Sequence, residues 1–168
     1  YFTNNAGTGW NAGVEIDGNY NLHSAVGISG SLGYLQTQVD EYTFATGEGT
    51  ALTLGDRDAV HAPSYNLRFG VRTMSHRGPQ AALEFTAMDG FFFSDSHSQR
   101  AAGYHLWNGS IGYRSAKWSL RLWGRNLLDS RYAVRGFYFG LEPPAYVDTL
   151  YVSYGDPRQA GLTVTAWR

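Results

Sequence analysis

Hydrophobic and polar positions alternate with period two along most of this chain. In "AVGISGSLGYLQTQ", Val26, Ile28, Leu32 and Tyr34 share one parity while Ala25, Gly27, Ser29, Ser31 and Gly33 share the other. A β-strand with one apolar face sorts side chains in this way. The pattern recurs with Tyr65, Leu67, Phe69 and Val71 against Asn66, Arg68, Gly70 and Arg72, and with Leu83, Phe85 and Ala87 against Glu84 and Thr86. Trp107, Ile111 and Tyr113 oppose Asn108, Ser110, Gly112 and Arg114; Trp118, Leu120 and Leu122 oppose Ser119, Arg121 and Arg125; Leu162, Val164 and Ala166 oppose Thr163 and Thr165. With "NAGVEIDGNY", these stretches predict about seven strands of roughly ten residues.

The connections between them sort into two kinds. "NLHS", "HRGPQ" and "RSAK" read as tight turns, whereas residues 40–63, "SDSHSQRAA" and residues 140–157 read as longer loops. Short turns at one end and long loops at the other are the habit of a transmembrane β-barrel, and strands of about 9–11 residues suit a tilted crossing of a bilayer. Aromatic residues gather toward strand ends, at Trp10, Tyr20, Tyr34, Tyr65, Phe91 to Phe93, Tyr104, Tyr113 and Trp118, as an interfacial girdle requires. A soluble β-sandwich or lipocalin-like barrel also alternates, with its apolar face inward. Its outer face usually carries abundant Lys and Glu, which the Gly, Ser and Thr positions here do not supply.

Composition sharpens this picture. Of 168 residues, 43% are hydrophobic, 15% aromatic and only 16% charged, with 21 Gly, a bias toward strands rather than helices. The formal net charge of −1 argues against a nucleic-acid partner, which calls for a basic excess. There is no Cys, so disulfides and thiolate metal sites are excluded. No apolar run is long enough for a transmembrane helix, which leaves a barrel untouched because its faces average out.

Catalytic and metal constellations are weak. Ser94, Asp95 and His97 are near neighbours on a loop, an arrangement that does not by itself align nucleophile, base and orienter. His23, His61, His76, His97 and His105 lack zinc-site spacing. "GEGTALTLGDRD", from Gly47 to Asp58, has glycines and acids without the spacing of a calcium loop and is expected to be a mobile polar surface loop. No cofactor, metal or catalytic residue is predicted.

Three elements, in order, carry a family resemblance: "VHAPSYNLRFGV", "WGRNLLDSRY" from Trp123 to Tyr132, and the closing "YGDPRQAGLTVTAWR". Together they resemble the C-terminal part of the barrel of TonB-dependent outer-membrane receptors. The resemblance implies a barrel of about 22 strands, an N-terminal plug, a segment that engages TonB, the outer membrane of a Gram-negative bacterium as location, and import of a scarce ligand such as a ferric siderophore, cobalamin or a saccharide without catalysis. Residues 1–168 then form the C-terminal portion of such a barrel, with 40–63 and 140–157 as extracellular loops, and the chain is expected to be a fragment or the ordered part of something longer. Tyr1 to Gly9 is expected to lie within an extracellular loop. The family usually closes on an aromatic residue, and Arg168 departs from that. The alternative is an autonomous small outer-membrane barrel, either an adhesin or a lipid-acting enzyme, which an odd strand count disfavours.

Within either reading the expected chemistry is binding. Arg68, Arg72, Arg114, Arg121 and Arg125 are predicted on the inward face around Glu84, where they either pair with acids of a plug or of other barrel strands or attract an anionic ligand such as an iron chelate. Tyr42, Phe137 and Tyr138, with other loop aromatics, offer surface for ligand capture.

Overall fold

A computed structural model describes residues 7–45 and 51–167. Its strands in chain order are β1 Gly9–His23, β2 Val26–Val39, β3 Tyr42–Ala45, β4 Ala51–Leu54, β5 Tyr65–Thr73, β6 Gly78–Met88, β7 Phe91–Phe92, β8 Arg100–Ala101, β9 Tyr104–Arg114, β10 Trp118–Arg125, β11 Ala133–Phe139, β12 Thr149–Tyr154 and β13 Gln159–Ala166. Seven of them form one antiparallel sheet in the order β1-β2-β5-β6-β9-β10-β13. These are the seven stretches whose alternation predicted strands. The other six pair locally as β3-β4, β7-β8 and β11-β12.

Register carries the alternation across the sheet. Ile16 pairs with Leu32 and Leu32 with Leu67, Leu67 with Ala87, Phe85 with Trp107, Ile111 with Leu122, and Leu122 with Leu162. Every one of these lies on a single face, because each strand's parity is passed to its neighbour. That face remains open: Ile111 is 63% exposed and Val164 67%. The buried apolar residues among those described are Phe91, Phe93 and Ala101, and all three belong to the long connections rather than to the sheet. Among the described residues no apolar layer packs on that face, unlike the interior of a soluble sandwich or small barrel.

The tight turns sit together at one end. Met74 N donates to Ala25 O, Ser115 N to Trp118 O, and Trp167 N to Lys117 O. Tyr20, Tyr113 and Trp118 mark the apolar face near this end, with the Tyr113 and Trp118 rings 5.7 Å apart; Trp10, Tyr34 and Tyr65 mark it toward the other.

Several expectations need correction. The strand that carries Leu83, Phe85 and Ala87 stops at Met88, short of Phe91 to Phe93, because Asp89 caps the Gly90 amide at 2.8 Å and Gly90 packs against the Ala101 carbonyl where a side chain has no room. Phe91 and Phe93 are therefore core residues of the loop region and not part of a girdle, and Tyr104 lies on the polar parity. Only the first part of "WGRNLLDSRY" is strand. Asn126 and Asp129 take positive φ, 46° and 54°, and turn the chain out of the sheet. The connection from β2 to β5 runs over residues 40–64 and carries β3 and β4, whereas 140–157 is only the later part of the connection from β10 to β13, residues 126–158, which carries β11 and β12. The loop read as mobile, Gly47 to Asp58, is paired over Ala51–Leu54 and pinned at Arg57. Tyr1 to Ala6, Gly47 to Thr50 and Arg168 lie outside the described residues.

Candidate functional site

The polar face of the sheet gathers the predicted arginines. Arg68 donates from Nε to Glu84 Oε2 at 2.9 Å and from a second guanidinium nitrogen to the same oxygen. Glu84 Oε1 accepts from Asn108 Nδ2 at 3.3 Å. Beside this pair, Glu84, Asn108, Ser110, Arg121, Trp123 and Arg125 line a cleft of about 220 Å³. Arg125 lies over the Trp123 ring at 5.5 Å and Arg114 over the Trp167 ring at 4.9 Å. Among the described residues, Arg72, Arg114, Arg121 and Arg125 have no carboxylate partner. The structure thus pairs one predicted arginine with Glu84, places two others around one cleft, and leaves Arg72 and Arg114 nearer the tight-turn end.

Sequence reasoning missed Trp123 and Asn126. Trp123 Nε1 donates to Thr163 Oγ1 at 3.2 Å, and its ring crosses Gly161 so closely that an added Cβ would meet Cζ2 at 2.3 Å. Small residues opposite a tryptophan on a polar face were the available signal. Asn126 is 3% exposed. Its amide nitrogen donates to Asn108 Oδ1 at 3.0 Å, its Nδ2 to Ser130 O at 2.9 Å and Asp156 O at 3.1 Å, and its Oδ1 accepts from Ser130 N at 2.9 Å. Asp129 Oδ1 then accepts from Arg158 N at 2.8 Å. Asn and Asp are the side chains that tolerate positive φ while bonding nearby backbone, so this motif ties the exit from β10 to the entry of β13.

The long connections interlock at the other end. Arg57 holds His97 O and Ser94 O, each at 2.9 Å, and lies over Phe92 at 4.8 Å. His97 stacks on Tyr138 with ring centroids 3.4 Å apart and 6° between planes, and Tyr138 also borders an open cleft with Phe139, Leu141, Tyr146 and Asp148. Burial, and then the Asp148 carboxylate, raise the Tyr138 phenol above the usual tyrosine range. Phe137, on the opposite parity, is 47% exposed and stacks on Tyr151 at 5.6 Å. Tyr151 donates to Glu142 Oε2, and this bond is the main cause of its raised pKa. Tyr42 belongs to the β3-β4 hairpin.

A serine, a histidine and an aspartate do fall in line here. His97 Nδ1 is 3.2 Å from Ser94 Oγ, and His97 Nε2 is 3.6 Å from Asp148 Oδ2. The same Nδ1 is shared by Ser96 Oγ at 3.0 Å, Ser94 Oγ also accepts from the Ser96 amide, and Asp148 is 64% exposed. An oriented nucleophile needs an undivided bond to its base, so the arrangement is a clasp between loops.

A seven-stranded sheet that exposes its apolar face and turns arginines to the other already has the form of a barrel wall. The family model described as "TonB dependent receptor-like, beta-barrel" matches residues 1–127. The chain belongs to the TonB-dependent receptor β-barrel family. Its fold is also that of solved receptors. The siderophore receptor PiuA from Acinetobacter baumannii superposes with a TM-score of 0.75 at 14% identity, over 93% of this chain and 21% of that one. The ferric yersiniabactin uptake receptor FyuA from Yersinia pestis superposes with a TM-score of 0.74 at 15% identity, over 95% of this chain and 24% of that one. The chain therefore spans about a quarter or less of the length of these receptors. The family model stops at Leu127, within the Asn126-to-Asp129 turn and before β13. In a receptor barrel the polar face is the lumen wall, and β1 and β13 are each open along one edge.

Proposed function

We propose that this chain is a wall segment of an outer-membrane, TonB-dependent importer whose cargo is a small anionic ligand of the iron-chelate class. The arginine-lined polar face carries the reading. Arg121 and Arg125 border one cleft without a carboxylate partner among the described residues, and a guanidinium suits a chelate's carboxylate or phenolate oxygens. In this reading the remaining strands of about 22 belong to a longer chain, a plug fills the lumen, TonB acts on the plug, and no bond in the cargo is broken. The long connections, tied together through Arg57 and His97, form the outward-facing surface. The open edges of β1 and β13 weigh against a small autonomous barrel, since unpaired edges in lipid are costly.

The test is iron accumulation by cells with and without the full-length protein, in TonB-intact and TonB-deficient backgrounds, with radioactive iron supplied as citrate or as a catecholate chelate. Accumulation that needs both proteins supports the reading; no such difference with either chelate sinks it. A double Arg121→Gln, Arg125→Gln variant is expected to weaken chelate binding at least about tenfold. If it alters stability and leaves affinity untouched, these arginines serve the plug instead.

A further inference from the structure

Between the Ala102-Gly103 bend and the β11-β12 hairpin lies a second cavity, of about 370 Å³, outside the arginine cleft. Its walls are aromatic. The Tyr104 and Tyr132 rings stand 4.4 Å apart and tilted by 33°, with Tyr154, Phe93 and Leu150 completing the lining. The hairpin's base is fixed there, because Gly155 N donates to Tyr132 O at 2.9 Å and Gly155 has no side chain to displace the Tyr132 ring.

Two cations line the same cavity. Arg131 lies over Tyr154 at 4.0 Å, and Arg100 lies over Phe92 at 4.6 Å with Nη2 3.3 Å from Gly90 O. No acidic side chain lines the space, and neither arginine forms an ion pair among the described residues. A guanidinium resting face-on against a ring keeps donors along its edge for a bidentate anion. The volume is at the small end of ligand sites, enough for one ring and a short substituent.

We infer that this cavity binds a planar aromatic carboxylate: the ring packs among Tyr104, Tyr132 and Tyr154, and the carboxylate meets the edge of Arg131 with Arg100 nearby. Shape and charge both enter, because tyrosine faces favour a flat ring while the arginines favour an acid. The inference concerns binding alone, so it stands or falls separately from import through the barrel.

The experiment is equilibrium binding of benzoate to the full-length protein in lipid nanodiscs, followed by ligand-observed NMR. Cyclohexanecarboxylate serves as the non-planar acid and benzyl alcohol as the uncharged ring. Benzoate is expected to bind with a Kd on the order of 1 mM, and each comparison molecule at least about tenfold more weakly. Arg131→Gln is expected to weaken benzoate about tenfold and Arg131→Lys less, since lysine keeps the charge without the fork. Arg77→Gln, in the tight turn before β6, should leave binding unchanged. Equal binding of cyclohexanecarboxylate, or benzoate affinity indifferent to Arg131→Gln in a folded variant, overturns the inference. If Arg131→Gln does not fold, Tyr132→Leu takes its place, and undiminished benzoate binding there is equally fatal.

Discussion

At the scale of single residues, the position under most constraint is Asn126. It is nearly fully buried, sits at φ 46° and uses both ends of its amide on backbone of two separate segments. Alanine there strands the Ser130 amide and two carbonyls and keeps an unfavourable backbone angle. The sum is about 2–4 kcal/mol. Glycine relieves the angle and not the bonds, so Asn126→Gly separates the two costs. Both variants are expected to speed hydrogen exchange at the Ser130 amide, with Arg158 following as the Asp129 cap loosens. If glycine leaves Ser130 as protected as in the parent, the bonds are not what holds the turn. A second residue-scale prediction concerns Gly136, where a Cβ would meet Phe93 Cγ at 2.6 Å. Gly136→Ala must push Phe93 out of the Phe91 cluster, at about 1–3 kcal/mol. Limited proteolysis should then cut between residues 133 and 154 faster than in the parent, and an unchanged cutting rate counts against that packing.

At the scale of elements, the seven sheet strands were legible in the sequence and the three hairpins were not, for one physical reason. Leu120, Leu122, Leu162 and Val164 share the sheet's exposed apolar face, and the two-sided surroundings of a barrel wall enforce such alternation. β11 and β12 are held by neighbours distant in sequence, such as Phe93 against Gly136 and Tyr138 against His97, and such contacts leave no period to read. The arginines illustrate the same limit: parity placed all five on one face, but only register shows that Arg68 reaches Glu84. Phe91 to Phe93 were misplaced because aromatic residues at a strand end look alike whether they meet lipid or a loop core. The β11-β12 hairpin also carries a pH prediction. Tyr151 and Tyr138 have phenols raised above the usual value, so folding favours their protonated forms. Their contribution is fully present below the ordinary tyrosine pKa of about 10 and is lost as pH rises beyond it. Absorbance titration should show a late-ionising tyrosine fraction that shrinks in Tyr151→Phe. Hydrogen exchange in residues 133–154 should rise above pH of about 10 while the sheet stays protected, and a hairpin that loosens already near neutrality contradicts the assignment.

At the scale of the whole molecule, a barrel wall that meets lipid on its apolar face and a polar lumen on the other makes adjacent residues respond in opposite ways to charge. Leu162 and Thr163 are successive positions on β13, opposite Leu122 and Arg121 respectively. Leu162 is 63% exposed on the apolar face, and an arginine near the bilayer midplane costs about 2–4 kcal/mol on a lipid-facing barrel wall. Thr163 points into the lumen beside an arginine that has no carboxylate partner among the described residues. A glutamate there gains a partner and can still accept from Trp123 Nε1, so its effect should stay within about 0.5 kcal/mol of neutral. Reversible unfolding of the full-length protein in lipid vesicles is the measurement, with Leu162→Arg strongly destabilising and Thr163→Glu nearly silent. Were the sheet instead a soluble sandwich with its apolar face packed inside, Leu162→Arg would be as damaging. The same arginine at Val14, 54% exposed on the first strand, would then be equally damaging in water. In a barrel both costs vanish when folding is assayed in detergent thin enough for the arginine to reach water, because snorkelling restores its hydration. Rescue of Leu162→Arg and Val14→Arg on moving from thick to thin lipid, with no change at Thr163→Glu, is the outcome a lipid-facing wall requires.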